Sequence, residues 1–165
     1  MHNSIQKYKD IISSIDRKIE AQKIHLTPKV IAVSKTFKLE KILPLIEYGH
    51  LDYGENKVQE ALEKWSEIKL KRQNIKLHLI GRLQSNKVKY AIKIFDFIHS
   101  VDSKKLAKKI ADEQEKINKK IKIFIQVNIG KENQKTGIDK DRVCLLYTSD
   151  AADEGLGVDL GGRRI

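Results

Sequence analysis

The sequence predicts an α/β fold of the (β/α)8 TIM-barrel type, incomplete, with about five βα units present. Three observations predict it. Short runs rich in Val and Ile alternate with amphipathic helical segments along residues 1–143, and regular alternation of this kind implies a parallel sheet with helices outside it. No Gly-x-Gly-x-x-Gly follows any apolar run, which weakens the alternative, a doubly wound open sheet built for dinucleotides. Polar clusters fall where the strands end: Ser34-Lys35-Thr36, Gly54-Glu55-Asn56, Arg82 to Asn86, Ser100 to Ser103, and Asn128. In a barrel, function gathers at the C-terminal ends of strands.

The elements follow in order. Ile5, Tyr8, Ile12, Ile15 and Ile19 recur at spacings of three and four, one face of an amphipathic helix over residues 4–24. Thr27-Pro28 ends it. Val30-Ile31-Ala32-Val33 reads as a fully buried first strand. Leu39, Ile42, Leu43 and Ile46 mark a helix that contains Pro44, a site of kinking, and that ends at Gly49. Leu51-Asp52-Tyr53 is a second strand. A helix from Asn56 to about Leu70 turns Val58, Ala61, Leu62, Trp65 and Ile68 inward. Lys76 to Ile80 is a third strand, followed by a helix with Val88, Ala91 and Ile92 inward. Asp96 to His99 is a fourth strand. Ser103 caps a helix bearing Leu106, Ala107, Ile110 and Ile117. Ile121 to Ile129 is a fifth strand, the longest, and Asp139 starts a further helix.

Composition narrows the function. The 165 residues suit one domain with a sizeable core. No run approaches a membrane span, and the N-terminus lacks the apolar region of a signal peptide. A cytoplasmic location is the default expectation. The single cysteine excludes an internal disulfide framework and a cysteine-cluster metal site. The net charge of +11 and pI of about 9.6 raise the question of nucleic acid. The 27 lysines outnumber 6 arginines and are dispersed along the chain, unlike a binding stripe, so nucleic acid is not expected as the primary partner. The field still favours anionic small molecules.

The composition breaks near residue 144. Lys140 is the last lysine, and four of the nine glycines fall in the final 22 residues. The tail carries −2 against +13 for residues 1–143. Cys144 to Glu154 resembles a translated sequencing-adapter stretch. Residues 1–143 are therefore expected to form the barrel part, and 144–165 a non-native or disordered tail.

Lys35 stands where the first strand leaves the core. A lysine there can form a Schiff base with an aldehyde if burial or a neighbouring cation lowers its pKa, although most lysines in such a chain are solvated surface groups. Asn56 offers a two-way amide at a strand end, yet Asn56 with Gln59 also reads as a capping box. His78 lies on the opposite strand face from Leu77 and Leu79, where a lone histidine is more often a hydrogen-bonded core residue than a ligand. Arg82 and Lys87 flank a helix start suited to phosphate; Ser85 or Asn86 serves equally well as a simple cap. Lys131 to Gly137 reads as a mobile surface loop.

Taken together, Ala32 to Thr36, Tyr53 to Asn56 with Gln59-Glu60, His78 to Lys87, Ile98 to Ser103, and Gln126 to Ile129 with Lys135 and Gly137 resemble the pyridoxal phosphate homeostasis protein family. That family is similar to the N-terminal barrel of alanine racemases. The resemblance covers residues 5–143 and implies a barrel that binds pyridoxal 5′-phosphate, with Lys35 carrying the cofactor as an internal aldimine, Asn56 beside it, and His78 and Ser100 lining the pocket. It implies intracellular buffering of the cofactor and delivery to apo-enzymes that require it, by a monomer with no robust turnover. A racemase-like enzyme on the same fold is the alternative; it needs a second acid–base group. Leu77 and Lys57 depart from the family's usual tryptophan and tyrosine. The family's later strands and phosphate cradle have no match in this chain, so an open sheet, poor stability and weak or absent cofactor binding are expected of it as it stands.

Overall fold

The computed structural model describes residues 2–130, 136–140 and 143. The element order is α1 (Asn3–Gln22), β1 (Ala32–Val33), α2 (Leu39–Glu47), β2 (Asp52–Glu55), α3 (Val58–Lys71), β3 (Lys76–Leu79), α4 (Val88–Ile94), β4 (Phe97–Val101), α5 (Lys104–Lys116), β5 (Lys122–Ile125), β6 (Val127–Asn128) and β7 (Ile138–Asp139). A short 3-10 turn at Ser85–Lys87 leads into α4. Four complete strand–helix units and a fifth strand thus lie within the described residues. None of the described helices is long and apolar enough to cross a membrane.

The order of the sheet separates the two fold alternatives. β1 to β5 run β1-β2-β3-β4-β5 and every pairing is parallel. A doubly wound sheet reverses its strand order at a switch point and carries helices on both faces. A sequential order with right-handed crossovers puts every connecting helix on one face. The second arrangement is the observed one, and it is the arrangement of a barrel wall.

That helix-covered face is the core. Tyr53, Leu77, Leu79 and Ile98 project from the strands and are fully buried among Ala61, Trp65, Val88, Ala91, Ile92 and Ile110 of the helices. Each large side chain so buried contributes about 1.5–3 kcal/mol. Ile5, Tyr8, Ile12, Ile15 and Ile19 form the half-buried face of α1, as their spacing predicts. α2 ends in a Schellman motif. Gly49, at φ +100°, donates to the Ile46 carbonyl and His50 to the Leu45 carbonyl. Ser103 caps α5 by accepting from the Leu106 amide.

Several expectations need correction. The Val30–Val33 run is not a fully buried strand: only Ala32 and Val33 pair with β2, and Val33 is 47% exposed. Its continuous apolar pattern suits a strand covered on both faces, but β1 is the last strand on its side of the described sheet. Its inner side meets no opposing layer. In α2, Leu45 takes the buried place expected of Leu43, because the face turned inward is Ile42, Leu45 and Ile46, at i, i+3 and i+4. Ile117 is 44% exposed; Gln114 is buried instead and accepts from the Ile121 amide at 2.5 Å, closing the turn into β5. Asn56 is not a helix cap, since α3 starts after Lys57, which makes no side-chain cap bond. Neither Ser85 nor Asn86 caps α4, whose N-cap is Lys87.

The expected fifth strand divides. β5 pairs with β4 up to Ile125; the Gln126 amide still donates to the Val101 carbonyl while its own carbonyl accepts from Ile138, and β6 pairs with β7. Gln126 Nε2 donates to the Thr136 carbonyl at 2.9 Å. Asp139, read as a helix start, belongs to β7. Most of the Lys131–Gly137 loop, including Lys135, and the tail from residue 144 lie outside the described residues.

Candidate functional site

The strand ends are built from β1 outward. Ser34 follows β1, is buried, and donates its amide to the Gly54 carbonyl at 2.9 Å. Its own carbonyl accepts from the Phe37 amide at 3.2 Å, closing a turn in which Thr36 has φ 65°. A left-handed third residue is the mark of a type II turn. Lys35 is the second residue of that turn. Its side chain is exposed, and no described residue hydrogen-bonds or ion-pairs with its Nζ.

β2 ends in Glu55, which is fully buried on the helix side. Its Oε1 accepts from Ser34 Oγ at 2.7 Å, Lys64 Nζ at 2.9 Å and Trp65 Nε1 at 2.9 Å. Lys64 Nζ also donates to the Ser34 carbonyl at 2.9 Å. Lys35 and Asn56 follow Ser34 and Glu55 just beyond the C-terminal ends of β1 and β2. Asn56 is half-buried, and its side chain makes no hydrogen bond to another described residue.

Gly81 lies against the Asn56 backbone. A Cβ on it would stand 2.2 Å from the Asn56 carbonyl oxygen, so only glycine fits. Ser100, buried, donates Oγ to the Gly81 carbonyl at 2.7 Å. Ser100 therefore ties the end of β4 to the end of β3. The ends of four strands are laterally joined by side chains and close backbone contact.

The inner face of the sheet carries a polar ladder. His78 is buried and stacks on Phe97, ring centroids 4.2 Å apart. Its Nε2 lies 3.0 Å from Asp52 Oδ1 and its Nδ1 3.0 Å from His99 Nε2. A carboxylate oxygen accepts, so Nε2 of His78 carries the proton, Nδ1 is an acceptor, and His99 Nε2 donates to it. His99 stacks on Phe124 at 4.4 Å. Lys29 reaches Asp52 Oδ1 at 3.3 Å from the other end. Burial lowers the pKa of His78, and Asp52 partly opposes it. Burial, then the neighbouring His78, lowers that of His99. Both rings are thereby held neutral at ordinary pH.

Of the four residues singled out by sequence, Lys35 and Asn56 leave adjacent, paired strands. His78 lies deeper, on the inner face, in register with Gly54. The hydroxyl of Ser100 is engaged with Gly81. Sequence reasoning missed Glu55, Asp52 and His99. Strand alternation could have found His99, two residues beyond Phe97 on the inner face. Nothing in the spacing announces that Glu55 would be buried beneath Lys64.

A sequentially ordered parallel sheet with its polar side chains at the strand C-termini defines part of a (β/α)8-type barrel whose site lies at that end. The family model for alanine racemase, N-terminal domain, matches residues 12–160, and the chain belongs to this family. It is 35% identical over 127 residues to the pyridoxal phosphate homeostasis protein of Pasteurella multocida, covering 77% of this chain and 54% of that one. It is 40% identical over 119 residues to the protein of the same name from Aquifex aeolicus, covering 72% and 51%. PipY of Synechococcus elongatus, solved without PLP, superposes with a TM-score of 0.74 at 30% identity over 87% of this chain and 67% of that chain. The same protein with PLP bound gives 0.72 at 29% identity over the same shares. The chain spans about half the length of the curated relatives it matches.

Proposed function

We propose that this chain is the N-terminal part of a pyridoxal 5′-phosphate-binding protein of cofactor homeostasis, with Lys35 as the point of covalent attachment. The supporting observation is that Lys35 and Asn56 stand just beyond the C-terminal ends of two paired strands, in a chain whose relatives carry the homeostasis name and include a PLP-bound structure. The donor chemistry fits one end of the cofactor: a primary amine without a described partner beside an amide that is not spent on capping. Pyridoxal 5′-phosphate supplies an aldehyde that condenses with a primary amine, with loss of one water, and a phosphate that anchors it. Lys35 Nζ would hold the aldehyde carbon and Asn56 would orient the ring. His78, held by Asp52 and His99, and Ser100, held by Gly81, would line the pocket. The phosphate is assigned to none of the described residues.

On this reading residues 1–143 are the barrel part and 144–165 are foreign to it, which a genomic read across codon 144 checks. The location is cytoplasmic, the protein a monomer, and its partners are apo-enzymes that require the cofactor. A racemase-like activity needs an acid–base group opposed to Lys35, and no observation singles one out.

The test is trapping. The protein is incubated with pyridoxal 5′-phosphate, reduced with borohydride and mapped by mass spectrometry. The adduct is expected on Lys35 and absent from Lys35→Ala, at unchanged melting temperature. An adduct spread evenly over the lysines, or undiminished trapping in Lys35→Ala, would remove Lys35 from the role.

A further inference from the structure

We propose that Glu55 is a positioning residue for Lys35, acting through Ser34; the inference rests on the reading of Lys35 given above. Glu55 is 0% exposed, yet its carboxylate gathers three donors on one oxygen while the other, also buried, has no partner among the described residues. A buried ion pair with an unpaired oxygen is a poor device for stability, because apolar residues of similar volume generally do as well or better. The bonds explain where it sits. Two of the three donors to Glu55 bear on Ser34: its own hydroxyl, and Lys64, which also grips the Ser34 carbonyl.

Ser34 is the first residue of the turn that presents Lys35, and its carbonyl is the turn's own acceptor. The turn contains Thr36 at φ 65°, a conformation that a β-branched residue adopts only when its surroundings impose it. Glu55 and Lys64 hold Ser34 by side chain and backbone together. With Ser34 held on the helix side, the turn that carries Lys35 is anchored at its first residue. One buried group is thereby bonded to the residue before Lys35 and is itself the residue before Asn56.

The test compares Glu55→Gln, Lys64→Met and the control Trp65→Phe in two readouts. One is hydrogen exchange at the Phe37 amide, which bonds the Ser34 carbonyl and needs no cofactor. The other is the rate of borohydride trapping of pyridoxal 5′-phosphate at Lys35, relative to the other lysines, as a function of pH. Glu55→Gln is expected to speed exchange at Phe37 and to slow trapping at Lys35 by roughly tenfold, with β3 and β4 amides keeping their protection. Lys64→Met should do the same, and the double variant should add little. It carries the test if Glu55→Gln does not fold. Trp65→Phe should change both readouts less. Wild-type behaviour at Phe37 and Lys35 in a folded Glu55→Gln protein would overturn the proposal, as would a loss of protection shared equally by the whole sheet. If the unmodified protein traps nothing at Lys35, the cofactor reading fails, and exchange at Phe37 still decides whether Glu55 holds the turn.

Discussion

The two faces of the one sheet are unlike in every respect that matters. On the outer face Tyr53, Leu77, Leu79 and Ile98 are fully buried against helices. On the inner face Val33 and Phe124 are about half exposed, and the positions between them hold Asp52, His78, Phe97 and His99. The outer face carries the stability of the described residues. The inner face carries polar and titratable groups whose partners come from the sheet itself and from Lys29 ahead of β1. Stability and chemistry are thus divided between opposite sides of the same strands, and alternation along each strand makes the division possible.

The largest effect should come from the outer face. Leu77→Ala, in the middle strand, removes a fully buried side chain and should cost about 2–5 kcal/mol, read as a fall in denaturation midpoint. A loss no greater than that of an inner-face substitution would break the contrast between the faces.

An intermediate effect is expected from acid. His50, His78 and His99 all have pKa values held below the ordinary 6.5, chiefly by burial. The unfolded chain therefore binds more protons than the folded one below that value, and stability falls as pH drops through 6.5 toward the lowered folded values. Melting temperature should decline on acidification from neutral pH, and His78→Gln should flatten the decline. A profile that is flat in the unmodified protein, or as steep in the variant, would show that the inner ladder does not carry its charge state into stability.

The smallest effect belongs to Phe124→Ser. Phe124 is 50% exposed and stacks on His99, so the change should stay within about 1 kcal/mol. A loss comparable to that of Leu77→Ala would mean that the inner face is covered in solution.

The elements were legible in sequence where one face of each is buried. The three-and-four spacing in α1 and α3 and the apolar cores of β3 and β4 needed only periodicity to be read. Legibility failed at edges and junctions. Val30–Val33 looks doubly buried because its apolar run does not say how many neighbours it has. Ile121–Ile129 looks like one strand because nothing in its composition marks Gln126 as the place where pairing changes from β4 to β7. Asn56 satisfied a capping pattern that the backbone does not use, since α3 begins one residue later than that pattern requires, with Lys57 at the cap.

By itself the sequence determined the α/β alternation, the inward faces of most helices, and the family, through short motifs in a constant order. Local periodicity and residue chemistry are enough for these. The tertiary structure alone decided the sequential strand order, the Asp52–His78–His99 ladder, and the burial of Glu55 between Ser34, Lys64 and Trp65. Each joins residues from different strands and helices whose meeting depends on register and crossover geometry, and neither is written into any one stretch of chain. Lys35 belongs to both accounts: the sequence singles it out, and the tertiary structure ties the turn that carries it, through Ser34, to a carboxylate twenty residues away.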